Sequence, residues 1–240
     1  MLNFINIDKV LFIDIETVPQ VAKFDELDDK WKELWTKKSS SISKNNETPD
    51  ELYNKAGIYA EFGKIICIST GFLNKTGNQW SFRVKSYFGE NEKKLLTEFS
   101  SLLNKYFSDT GKLLCAHNGK EFDFPFIARR ILINELPLPS VLDLAGKKPW
   151  EVAHIDTMEL WKFGDFKSFT SLDLLSTVFG ISSSKDDIDG SMVYDVYYNE
   201  PEGLERIKRY CEKDVITLSR ILLKMGGFDI FKDEDIVLLN

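Results

Sequence analysis

The chain has 240 residues, 43% hydrophobic and 29% charged, enough for one large α/β domain with a full core. A formal charge of −7 argues against broad, unspecific attraction to a polyanion, though not against a nucleic-acid substrate at a site neutralised by cations. No apolar run approaches the ~20 residues that cross a bilayer, which excludes a spanning helix.

The first residues lack the basic and long apolar regions of a leader, so the expected location is cytoplasmic. Val10-Leu11-Phe12-Ile13 reads as a buried strand with Asp14 and Glu16 at its C-terminal end, and Pro19 turns the chain away soon after. A helix is predicted over 22–37, with Phe24, Leu27, Trp31, Leu34 and Trp35 on one side. The Lys- and Ser-rich stretch at about 37–48 reads as a polar, flexible insertion in a single domain spanning 1–240.

Residues 65–73 and 79–88 read as a strand pair, the second alternating as an antiparallel or edge strand does. A helix is predicted over 92–107, a short buried strand over 113–116 and a helix over 124–134. A further strand end falls near Ala153-His154-Ile155-Asp156, and short helices near 171–179 and 189–198. The last long helix has Pro201 in its first turn and stops at Gly226-Gly227. This order predicts an α/β fold with a mixed central sheet flanked by helices. Cys67, Cys115 and Cys211 form no close pair and read as small core residues of a reducing compartment.

Five residues stand out. Asp14 and Glu16 lie two apart on a strand and so share a face, bringing oxygen ligands together as Mg²⁺ or Mn²⁺ prefers. A solvated strand end carries the same pair. Asp123 sits between a buried strand and a helix, where α/β proteins place ligands and where helix N-caps also fall. Tyr210 and Asp214, at i and i+4, share a helix face beside the core stripe of Leu204, Ile207, Cys211, Val215, Leu218 and Leu222. His117 reads as structural, since His154 is the one other histidine.

Taken in order, Phe12-Ile13-Asp14-Ile15-Glu16-Thr17, His117-Asn118-Gly119-Lys120-Glu121-Phe122-Asp123 and Tyr210-Cys211-Glu212-Lys213-Asp214 resemble the three motifs of the DEDD superfamily of 3′–5′ exonucleases, in its tyrosine subgroup. The chain is similar, from about Val10 to Leu223, to the stand-alone form of the family-B DNA polymerase exonuclease domain. No polymerase palm or thumb pattern follows residue 225, so a nuclease acting apart from a polymerase is expected.

The resemblance implies a ribonuclease H-like fold and two divalent ions, Mg²⁺ or Mn²⁺. Asp14, Glu16 and Asp214 would hold one ion, and Asp14 with Asp123 the other. Tyr210 would orient the attacking water, and Ile15, Thr17, Asn118 and Phe122 would face the substrate. Phe122 is equally suited to core packing, Thr17 to a turn, and Lys185 to either a phosphate contact or a solvated loop. The implied activity is release of nucleoside 5′-monophosphates from the 3′ end of single-stranded DNA. The alternatives are an RNA-trimming exoribonuclease and a non-catalytic nucleic-acid-binding module. The last would carry a damaged acid set and a basic face, and the sequence shows neither.

Overall fold

A computed structural model describes residues 5–107, 111–165, 167–181, 187–228 and 231–239. Its centre is a six-stranded sheet in the order β5-β4-β1-β2-β3-β6. The strands are β1 (Val10–Pro19), β2 (Gly63–Thr76), β3 (Gln79–Phe88), β4 (Leu113–Ala116), β5 (Ile155–Asp156) and β6 (Ile236–Leu239). β1, β2 and β3 pair antiparallel, whereas β4 runs parallel to β1, β5 to β4, and β6 to β3. The expected mixed sheet is therefore present.

The first strand is longer than its apolar run implies. Pairing continues from Phe12 opposite Gly71 to Pro19 opposite Gly63, so Asp14 and Glu16 lie inside the strand rather than at its end. A register shift between Glu16 and Thr17 marks a bulge, a device that re-aims side chains. Strand period then divides the residues. Leu11, Ile13 and Ile15 pack on one face, while Phe12 and Asp14 turn to the other.

On the first face lie α2 (Glu92–Tyr106) and α3 (Asp123–Ile133), through Leu95, Leu96, Phe99, Ile127 and Ile131. On the second lies α7 (Gly203–Gly226), through Val215, Leu218 and Leu222. Gly71 allows this approach, because a Cβ there would strike the Phe82 ring and Val215. Gly227, at φ +75°, ends α7 as expected. The remaining helices are α4 (Thr157–Lys162), α5 (Leu172–Val178) and α6 (Val193–Asn199).

Three expectations need correction. The first helix, α1, spans Asp29–Ile42, because the Asp28 side chain accepts the Trp31 N–H at 3.0 Å and fixes its start; Phe24–Glu26 is a separate 3-10 turn. The polar stretch at 37–48 is therefore helical through Ile42, and Leu34 is exposed on that helix. Ser39, Ser40 and Ser41 donate their hydroxyls to the carbonyls three residues back, so each hydroxyl is satisfied within the helix. Finally, of the two readings of β3 the antiparallel one holds, through β2, and the edge one does not, since β6 pairs with it from Phe82 opposite Ile236 to Lys85 opposite Leu239.

Among the described residues no helix is long and apolar enough to cross a membrane. Cys67, Cys115 and Cys211 are buried free thiols.

Candidate active site

The sheet and α7 bring the separated acids together. Oxygens of Asp14 and Glu16 and the Sγ of Cys211 all lie within 4.8 Å of one another. Cys211 donates its thiol to Asp14 Oδ2 at 3.2 Å and also approaches the Asp14 carbonyl at 3.4 Å. Burial pushes that thiol well above its usual pKa, so it serves Asp14 as a neutral donor. Sequence reading placed Cys211 in the core, although its position three residues before Asp214 on α7 already put it beside the acids.

Asp123 and Asp214 join this pair through the electric field. Burial, then the charges of Asp214 and Asp123, raise the Asp14 carboxyl well above the carboxylate range. Burial, then Asp14 and Asp214, do the same to Glu16. Asp123 is raised to about 7, mainly by burial, against the lowering effect of its own N–H and that of Ile15. Tyr210 is likewise pushed up, by burial first and then by Asp214, to which its hydroxyl donates. The phenol stays protonated and acts as a donor, not as a base.

The residues expected to face substrate divide. Ile15 is 5% exposed, and its side chain packs in the core on the opposite face, so it cannot wedge against a base; its contribution to the site is the N–H that meets Asp123. Phe122 is partly buried against the same core, with its ring 5.3 Å from that of Phe126. Thr17 is partly exposed directly after the bulge. Asn118 takes φ +62°, a conformation Asn tolerates better than most residues. Lys185 lies outside the described residues.

The loop carrying Asn118 is pinned by a residue that sequence reading did not single out. The buried carboxylate of Asp156 accepts N–H groups from Asn118 at 2.9 Å and Lys120 at 3.1 Å. It also caps α4 by accepting those of Met158 and Glu159. From Asn118 the bonding continues into the start of α3, with Phe122 N–H donating to the Asn118 carbonyl at 2.9 Å. Asp156 thereby orients the segment that presents Asp123. A lone Asp at a strand end gives no local sign of such a role. His117 is structural as expected, bonded to Thr157 and to the Thr170 carbonyl.

A cavity of about 350 Å³ opens beside Tyr210 and Asp214, lined also by Ser171, Leu172 and Ser191. Next to it, Arg206, Arg209 and Lys213 gather around Tyr210. The sequence appeared to lack a basic face because these cations alternate with acids along the chain; helical periodicity collects them.

A model of the RNase_H superfamily matches residues 55–225. The chain belongs to the RNase_H superfamily. That match leaves β1, with Asp14 and Glu16, outside its limits. Among solved structures, this RNase_H-superfamily chain is similar to the family B DNA polymerase from the hyperthermophilic archaeon Pyrobaculum calidifontis, with a TM-score of 0.55 and 17% identity. The likeness covers 90% of this chain and 24% of the polymerase, so the chain spans about a quarter of that enzyme. No curated protein sequence matches the chain.

Proposed function

We propose that this protein is a metal-dependent 3′–5′ exonuclease that removes nucleoside 5′-monophosphates from single-stranded DNA. The observation that carries this reading is the cluster of Asp14, Glu16 and Asp123, whose carboxyls are all pushed above the usual range by burial, with the charge of Asp214 adding to the rise at Asp14 and Glu16. Carboxylates crowded into one poorly hydrated site repel one another and are costly unless protonated or bound to metal.

The donor set suits hard divalent ions such as Mg²⁺ or Mn²⁺, since it is carboxylate oxygen with one protonated thiol at its edge. Asp14, Glu16 and Asp214 would hold one ion, and Asp14 and Asp123 a second. Bound there, two divalent ions supply Lewis-acid stabilisation to the attacking and leaving oxygens. The protein's own part is positional. Cys211 fixes the Asp14 carboxylate, Ile15 N–H fixes Asp123, and Asp156 holds the loop before it. Tyr210, locked on Asp214, offers its hydroxyl as an orienting group for the attacking water. The cavity beside Tyr210 gives a strand end room to enter.

The test incubates 5′-labelled single-stranded DNA and RNA oligomers with Mn²⁺. Wild-type protein is expected to yield a ladder shortened from the 3′ end. Asp14→Ala is expected to lose about a hundred- to a thousandfold in rate while its circular dichroism is retained, as removal of a central electrostatic group implies. Undiminished cleavage by that variant overturns the assignment, and degradation of RNA alone replaces DNA as the substrate.

A further inference from the structure

Sequence-wide charge gives this protein no general attraction for nucleic acid, so a strand must be held by cations placed locally. α7 supplies them. Arg206, Arg209, Tyr210 and Lys213 follow the i, i+3, i+4, i+7 spacing and share one side of the helix. With Asp187 and Ile188 they line a small cavity of about 60 Å³.

Arg206 is gripped at two points by Asp187, Nε to Oδ2 at 3.0 Å and Nη2 to Oδ1 at 2.8 Å, and also bonds Glu200. It is committed to anchoring the segment that carries Asp187. Arg209 and Lys213 are exposed, four residues apart on either side of Tyr210, and their charges also reach Asp187. Asp187 is thus an anion seated among three cations at the rim of the acidic site.

We propose that Arg209 and Lys213 form a phosphate subsite for an internal phosphodiester of the single strand whose 3′ end lies at the carboxylates. This rests on the exonuclease reading and adds to it the path of the strand. Tyr210 is common to both places, facing Asp214 on one side and the basic cavity on the other. A strand leaving the acids along α7 meets these two cations next. Asp187 occupies the same field and competes with the incoming phosphate.

The experiment measures binding of a 5′-fluorescein single-stranded DNA oligomer by anisotropy with Ca²⁺ present, using full-length Asp14→Ala protein to prevent turnover. Affinity is followed between about 50 and 200 mM salt. Adding Arg209→Ala and Lys213→Ala together is expected to weaken binding severalfold at low salt. It should also reduce the steepness of log affinity against log salt by about 0.7, the value for one single-strand phosphate contact. Asp187→Asn in the same background is expected to tighten binding severalfold.

Lys93→Ala with Lys94→Ala, on α2 across the sheet, makes an equal change in net charge and should leave the slope unaltered. An unchanged slope in the α7 variant, an equal change in the α2 variant, or weaker binding in Asp187→Asn overturns the subsite. Absence of DNA binding by the Asp14→Ala parent at every salt concentration instead overturns the nuclease reading on which it stands.

Discussion

One buried glutamate and one cluster of carboxylates pack against the same sheet, and the protein treats them differently. Glu92, at the start of α2, is matched on every side. It accepts Arg130 Nε at 2.8 Å, the Ile65 N–H at 2.7 Å and the Asn134 side chain at 2.9 Å. Arg130 in turn reaches the Ala60 carbonyl at 2.8 Å. Charge and hydrogen-bonding capacity are both satisfied, so this pair ties α2, α3 and β2 together at little risk. Glu16 and Asp123 are as buried as Glu92 and Asp14 is partly exposed, yet the charges that act most strongly on them are those of other acids. The difference separates a carboxylate matched by an arginine from carboxylates that raise one another's pKa.

That contrast can be broken from either side. The largest expected effect is on the compensated pair. Arg130→Ala leaves Glu92 buried without its partner and should cost about 3–5 kcal/mol in urea denaturation. Mn²⁺ affinity measured by calorimetry on the folded variant should be unchanged.

Next is the response of the acidic site to metal. At about 100 times its Kd, Mn²⁺ should stabilise the protein by about 2.7 kcal/mol, read as a rise in Tm that EDTA reverses. The raised carboxyls give this effect a pH sign. Their folded-state pKa values exceed the unfolded ones. In metal-free protein their contribution to stability is therefore whole below about pH 4 and is lost as pH rises through the raised values, about 7 for Asp123. Stabilisation by Mn²⁺ should accordingly grow from about pH 5.5 to about pH 8.

Asp156→Asn is the subtler intervention. An amide cannot accept from the N–H groups of both Asn118 and Lys120 with both of its heavy atoms, so the Asp123 loop loosens. Mn²⁺ affinity should fall about tenfold, the scale of an outer partner of a ligand. Asn91→Ala, which removes a comparable cap from α2, should lower Tm without moving that affinity.

The smallest effect tests the repulsion itself. Asp14→Asn should raise the Tm of the metal-free protein by a few degrees at about pH 8, because it deletes one of several clustered charges. The same variant should abolish the Mn²⁺ response. A lower Tm in metal-free buffer would show that the cluster is compensated after all.

Much of this was legible in the residues. Alternation along Val10–Glu16 placed two carboxylates on one face, and the spacing of Tyr210 and Asp214 placed both on one turn of α7, because strand and helix periods are local properties of the backbone. The mixed sheet and the buried stripe of α7 followed from the same periods. Where residue pattern and structure parted, a distant partner was responsible. β1 outran its apolar run because β2 pairs with it through Pro19, and β3 ceased to be an edge because a strand from the far end of the chain covers it. Ile15 was expected at the substrate and is instead core, since the strand period that turns Asp14 and Glu16 toward α7 turns Ile15 away.

The sequence by itself determined the identity of the acids, their order and the local face on which each lies. Only the tertiary structure decided that Cys211 donates to Asp14 and that Asp156 holds the loop of Asp123. Periodicity is written into neighbouring residues. A hydrogen bond across 197 residues, as between Asp14 and Cys211, exists only once the strand and the helix have packed.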